Sequence, residues 1–257
     1  MSGHRKILVT GGGGAIGSRL LPYLAEMADV VSLDLRDVGG VARSLTGSVT
    51  DPDIVLDAAE GADAVLHMAY AHRDPEDLAG QVEVNIKGAV NVLEACVAHR
   101  IPRVVFASTV MTVWGDAETP TQPAYHNFTP VNFYSYTKCC QELLAEMYTR
   151  QHDFLSAICL RIGAPKEVEA SPTRLGPQFG MARDAEVLVP YDDLCEAFRL
   201  ALLETQGVKY STLFLTGDYG GDHYHSQVTR ETLGLEQRWR IRPDPEEEGV
   251  YTASLRS

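Results

Sequence analysis

A chain of 257 residues, 45% apolar and 22% charged, can bury the core of one domain, or of one large lobe with a small one. Its 22 Lys and Arg stand against 35 Asp and Glu, a net charge of −13, which argues against nucleic acid and anionic membranes as partners. No apolar run approaches a bilayer span, and no secretory leader precedes the first predicted strand. The five cysteines and eight histidines lack ligand spacing, which points to reduced thiols, a cytoplasmic location and no metal site.

In chain order, Lys6–Thr10 is short, apolar and β-branched and predicts a buried strand. Gly11 to Gly14 follow, then Gly17, and Ile16, Leu20, Leu21 and Leu24 recur at helical spacing. Pro22 falls inside that helix and predicts a local kink. Strand, glycine turn and helix suit a phosphate, because a bare backbone approaches it closely and the helix N-terminus offers N–H groups and partial positive charge. Gly11, Gly14, Ala15, Ile16 and Gly17 are the candidate cradle. The next strand, Val30–Asp34, ends in an acid about twenty residues beyond the glycines, where a carboxylate meets the ribose hydroxyls of a dinucleotide. An ordinary strand-end acid is the alternative for Asp34. As a ribose ligand it would repel a 2′-phosphate and favour NAD over NADP, although Arg36 lies close.

Asp63–His67 predicts a third strand, followed by Met68-Ala69-Tyr70. Val82–Ala98 predicts a helix with Val82, Ile86, Val90, Leu93 and Val97 on its apolar face. Arg103–Ala107 is a fourth strand that runs into Ser108 and Thr109. Tyr134–Tyr148 is helical, and Leu155–Leu160 is a fifth strand. This alternation predicts an α/β fold, a Rossmann-like doubly wound parallel sheet over residues 1–162. Residues 163–257 then form a small C-terminal substrate-binding lobe. Within them, 163–190 is rich in Gly, Pro and charge, Asp192–Leu203 is a helix expected to pack back on the sheet, and Leu213–Thr216 is a strand. The tail from Pro243, with Glu246, Glu247 and Glu248, is expected to be exposed or partly disordered.

Tyr134 and Lys138 are four apart and share one helix face. A neighbouring ammonium lowers a phenol's pKa, so Tyr134 could exchange a proton with a substrate hydroxyl while a hydride moves to or from a nicotinamide. A hydroxyl from Ser108 or Thr109 could hold the same oxygen. A plain surface Tyr–Lys pair is the structural alternative, against which stands its combination with the glycine loop in a fold that binds ligands beyond the carboxyl ends of its strands.

Over residues 5–165 the chain resembles the extended branch of the short-chain dehydrogenase/reductase superfamily, the NAD-dependent epimerase/dehydratase family. Thr10-Gly11-x-x-Gly14-x-x-Gly17, Tyr134-x-x-x-Lys138 and Asn85-Ile86-Lys87-Gly88 carry the likeness. The resemblance implies NAD as cofactor, Tyr134 and Lys138 as catalytic residues with Thr109 as the third, and Asn85 beside the cofactor. It further implies cofactor contacts at Ser48, Val49, Met68 and Ala69, and a homodimer paired through helices 82–98 and 134–148. A solvent-facing mid-helix residue is the alternative for Asn85. Tyr136 is out of register with Lys138 and is read as packing or substrate-facing.

Three departures from the family pattern stand out. Thr109 replaces the usual Ser, Ser48 follows Gly47 where an acid is common, and Tyr70 follows Ala69 where a small residue is common. Tyr70 therefore narrows the cofactor space or touches substrate. Phe106-Ala107-Ser108-Thr109 and Leu160-Arg161-Ile162-Gly163 resemble uronate dehydrogenases, which implies a small sugar-like substrate. Arg174 and Arg183 are candidates to pair its carboxylate, or are solvated loop arginines. The reading is an NAD-dependent oxidoreductase of a sugar, sugar acid or related polyol. A nucleotide-sugar epimerase or dehydratase and a non-catalytic dinucleotide sensor are the alternatives.

Overall fold

A computed structural model describes residues 5–71, 76–116, 128–168, 173–175, 187–219, 226–247 and 250–256. Seven strands form one parallel sheet: β1 (Arg5–Thr10), β2 (Ala28–Asp34), β3 (Arg43–Thr46), β4 (Ala64–His67), β5 (Arg103–Thr109), β6 (Ser156–Ile162) and β10 (Tyr210–Leu215). Their spatial order is β10-β6-β5-β4-β1-β2-β3. The order reverses beside β1, so the crevice for a ligand opens over the ends of β1, β2 and β4.

The central strands are apolar on both faces because helices cover both. One face buries Ile7, Val9, Leu66, Val105 and Leu160 beneath α1 (Gly17–Ala25) and α6 (Tyr191–Leu203). The other buries Leu8, Val65, Val104 and Phe106 beneath α2 (Pro52–Ala59), α4 (Gly88–Ala98) and α5 (Phe133–Gln151). Helix α1 runs on through Pro22, which is exposed.

Two sequence expectations are corrected here. β10 pairs in parallel with β6 along its length, so residues 210–215 extend the main sheet and a boundary at residue 163 does not divide it. The acidic tail is not wholly exposed. Residues 251–255 form β12 (Tyr251–Leu255), the middle strand of an antiparallel sheet between β11 (Trp239–Pro243) and β8 (Thr173–Leu175). Ala253 of β12 is fully buried with Trp239, Ile241 and Phe214. A parallel pair, β7 (Ala164–Lys166) with β9 (Leu188–Pro190), joins this small layer to the main sheet, and α7 (Ser226–Leu233) packs on β10.

The predicted helix over 82–98 begins earlier and is not uniform. A short α3 (Leu78–Gln81) passes into a π-helical turn, Val82–Lys87, and then into α4. The wider turn shifts the register, so Asn85, Gly88, Ala89, Val92, Leu93 and Cys96 face inward. Val82 is exposed, and Ile86, Val90 and Val97 are half-buried rather than core. Among the described residues, no helix is long and apolar enough to cross a membrane.

Candidate active site

The glycine run closes the turn between β1 and α1 through contacts that leave no room for side chains. Gly11 has φ +76°, and a methyl there would come within 2.5 Å of the Ala69 nitrogen. One on Gly17 would lie 2.0 Å from the Gly12 carbonyl oxygen. Gly14 differs: its nearest neighbour would be the Gly11 oxygen at 3.4 Å, so the chain itself does not require glycine there. Its Cα faces the cleft, as a backbone that receives a ligand must.

Asp34 ends β2 beside this loop. One carboxylate oxygen accepts from the Gly13 amide at 2.9 Å and the other from the Arg36 amide at 3.1 Å. The Arg36 guanidinium reaches the Gly13 carbonyl, and its Nε lies 3.9 Å from Asp34. A cleft of about 560 Å³ starts here, lined by Gly11, Gly14, Asp34, Ser48, Val49 and Met68 among others. That size and the bare loop fit a dinucleotide. Leu35, Arg36 and Gly47 also line it. Leu35 is 74% exposed beside Asp34, an apolar surface suited to the flat face of a base.

A second pocket of about 180 Å³ shares Gly11, Gly14, Met68 and Tyr70 with the first and adds Ala15, Ile16, Gly17, Ala107, Ser108, Thr109, Tyr134, Lys138, Ile162, Gly163 and Pro165. Tyr134 and Lys138 project from α5, which Asn132 and Ser135 start with a reciprocal capping box. The ammonium of Lys138 is 1% exposed and donates to the Ala107 carbonyl at 2.9 Å and to Gln141 Oε1 at 3.1 Å. Burial lowers its pKa to about 8, against the pull of Cys159 and Glu142. Lys138 Nζ sits 5.9 Å from the Tyr134 ring centre and 5.7 Å from that of Tyr70.

The expected lowering of the Tyr134 phenol is not what this arrangement produces. Burial, helped by Tyr70, pushes it well above 10.

Strand alternation separates the two candidate hydroxyls. Ser108 points to the α5 face and donates to Glu142 Oε1 at 2.5 Å, within a buried bidentate Glu142–Arg161 pair. Its hydroxyl is engaged by Glu142, while Ser108 itself lines the second pocket beside Thr109. Thr109 points the other way, accepting from the Met111 amide at 3.2 Å and keeping its proton to donate. Asn85 does not face solvent: it is fully buried. Its side chain accepts from the Ala71 amide at 2.7 Å and donates to Ala71 O and Thr137 Oγ1, tying the loop after β4 to α5. Below that loop, His67 bonds Thr10 at 2.7 Å, and burial holds it neutral with its pKa down at about 3.

Tyr136 is exposed and stacks on Phe133. Arg174 lies in β8 paired with Thr252, without a described side chain, and Arg183 lies outside the described residues. The lining by Leu35, Gly47, Ile162, Gly163 and Pro165 was not anticipated from sequence.

Residues 7–179 match the NAD dependent epimerase/dehydratase family. The chain belongs to that family. Its cofactor is NAD, and its members are NAD-dependent enzymes. Among curated relatives, this family member is 32% identical over 148 residues to short-chain dehydrogenase/reductase family 42E member 1 of Danio rerio, across 53% of the chain but only 38% of that protein. It is 25% identical over 225 residues to uronate dehydrogenase of Pseudomonas putida, covering 83% of this chain and 76% of the relative. A crystal structure of a point variant of uronate dehydrogenase from Agrobacterium tumefaciens, complexed with NAD, superposes with TM-score 0.78 at 21% identity over 95% of this chain and 92% of that one.

Proposed function

We propose that the protein is an oxidoreductase that moves a hydride between NAD and a hydroxyl or carbonyl carbon of a sugar, sugar acid or related small polyol. The observation that carries this reading is the meeting of Thr109, Tyr134 and Lys138 in a pocket continuous with the dinucleotide cleft. The relative of matching extent whose substrate is a uronate supports the substrate class.

NAD, when bound, accepts or returns the hydride. Gly11, Gly14 and the first turn of α1 hold its pyrophosphate, Asp34 takes the ribose hydroxyls, and Leu35, Ser48 and Val49 border the base. Tyr134 handles the proton: its buried phenol keeps it and gives it to a carbonyl oxygen in reduction. In oxidation the Tyr134 phenol first gives up its own proton to water, a loss favoured when Lys138 turns from Ala107 toward it, and the phenolate then takes the proton of the substrate hydroxyl. Thr109 donates to the same oxygen and aims it at Tyr134.

The protein acts in the cytoplasm, a placement supported by its five cysteines, all free thiols. It works as a homodimer. The outer face of α5 exposes Tyr136, Leu143 and Met147 at helical spacing, with Val82 exposed at the start of the neighbouring π-turn, an apolar strip suited to a second copy. Mixing the protein with NAD and a panel of sugars and uronic acids, and following the absorbance of reduced nicotinamide, tests the reaction. Net reduction of NAD supports the dehydrogenase. Sugar conversion without net reduction replaces it with an epimerase or dehydratase.

A further inference from the structure

We infer that Tyr70 sets the substrate preference of this site: its ring is the wall on which the C–H face of a six-membered sugar ring lies, favouring cyclic sugars over open-chain polyols. The inference rests on the function proposed above and adds the shape of the substrate to it.

Tyr70 is held in place by both of its neighbours. Ala69 packs against Gly11, where even a methyl would come within 2.5 Å of the Ala69 nitrogen. Ala71 is gripped through its N–H and its carbonyl by Asn85, at 2.7 and 3.3 Å. The backbone at Tyr70 is therefore anchored, yet its side chain is 53% exposed. The ring leans on the Tyr134 ring, 5.6 Å between centres and tilted by 53°, and Lys138 Nζ lies 5.7 Å from its centre. It is the aromatic residue common to both clefts among the described residues.

A substrate oxygen at the Tyr134 hydroxyl puts the attached carbon skeleton beside this ring. A pyranose carries a flat patch of C–H groups, and an aromatic face is large, rigid and apolar with little rotamer freedom to lose. An open-chain polyol has no such patch, and ordering its rotatable bonds costs binding free energy. The pull of the ammonium on the ring helps fix the wall's angle.

The test compares parent, Y70F and Y70A in steady-state kinetics with NAD, using a cyclic aldose or uronic acid and the open-chain alditol of the same hydroxyl pattern. Titration calorimetry of both sugars onto protein loaded with reduced NAD runs alongside. Y70A should raise the KM for the cyclic substrate about tenfold, as expected for loss of an aromatic contact, while the KM for NAD and for the alditol move by less than about twofold. Y70F keeps the ring and should keep the preference for the cyclic sugar. A rise in the KM for NAD alone would assign Tyr70 to the cofactor and overturn the inference, as would a Y70F variant that loses the preference as fully as Y70A. If the parent turns over no sugar, the proposed function fails by itself and calorimetry decides the wall. Cyclic-sugar binding weakened by Y70A and kept by Y70F upholds it, and binding that is absent or unmoved by Y70A overturns it.

Discussion

Lys138→Met should alter the pH dependence of folding stability in a direction set by burial. The ammonium is 1% exposed, and desolvation is the main reason its pKa falls from 10.5 to about 8. An unfolded lysine keeps its proton to about pH 10.4. Between about pH 8 and 10.4 the unfolded chain therefore holds a proton that the folded chain has released, so stability rises with pH across that window and the cost is greatest below it. At about 1.4 kcal/mol for each tenfold change in acidity constant, a fall from 10.5 to about 8 costs roughly 3 kcal/mol at pH 7. Methionine has no charge to desolvate, but it leaves Ala107 O and Gln141 Oε1 without their donor, a loss of about 1–3 kcal/mol. The two terms nearly offset each other at pH 7, where parent and variant should differ by less than about 2 kcal/mol. By pH 10 the parent should have gained about 2–3 kcal/mol on the variant. Urea denaturation of both proteins at pH 7, 8, 9 and 10 reads the difference directly, because other titrating groups cancel. A difference that stays flat to within about 0.5 kcal/mol over that range would refute the reasoning.

Tyr134→Phe should retain NAD affinity in a fluorescence titration while turnover on the true substrate falls about 10²–10⁴-fold. Thr109→Ser should keep activity and Thr109→Val should lose it, whereas Ser108→Ala should show its effect in thermal melting, at about 1–2 kcal/mol, since its hydroxyl serves Glu142. Asp34→Ala should weaken NAD about tenfold and narrow the preference over NADP, because Arg36 then faces the ribose without a competing carboxylate; titration of both reduced cofactors measures it. If α5 pairs two copies as proposed, Leu143→Glu should sediment as monomer at micromolar concentration where the parent sediments as dimer, and a parent that sediments only as monomer sinks the pairing.

The strands that position the site were legible because their surroundings are uniform. β1, β2, β4, β5 and β6 are covered on both faces, so each reads as an apolar run. β3 is a four-residue edge strand with Arg43 exposed and Ser44 and Leu45 half-buried, and nothing in its pattern announces it. The helix before β5 was read with its face offset, Leu93 in the core but Val82 exposed and Ile86 half-buried, because periodicity assumes 3.6 residues per turn and the π-turn at Val82–Lys87 breaks that count. The tail misled through its own composition: three glutamates and two prolines signal exposure, while the partners of β12 lie at 173–175 and 239–243, a pairing no local pattern carries.

In the site, spacing singled out the glycine run, Asp34, Tyr134 and Lys138, which the structure brings to the two adjoining clefts. What engages the Ser108 hydroxyl was not legible, because Glu142 reaches it from a helix 34 residues away. The electrostatics of Tyr134 were not legible at all, since they depend on how deeply the fold buries its ring and on Tyr70 beside it.

The position of β12 has a consequence for how the molecule comes to be. Every strand of the seven-stranded sheet lies before residue 216, and each can find its partners as the chain emerges N-terminus first. β8 cannot. Its pairing partner, Tyr251–Leu255, is made some seventy-five residues later and is also the strand that joins β8 to β11. A nascent chain therefore possesses a complete nucleotide-binding sheet for a period during which the small layer beside it is open. A released chain truncated after residue 245 should be a cofactor-binding species with Trp239 and Ile241 uncovered. Any fusion or deletion at 250–256 would hold the mature protein in that same half-assembled state.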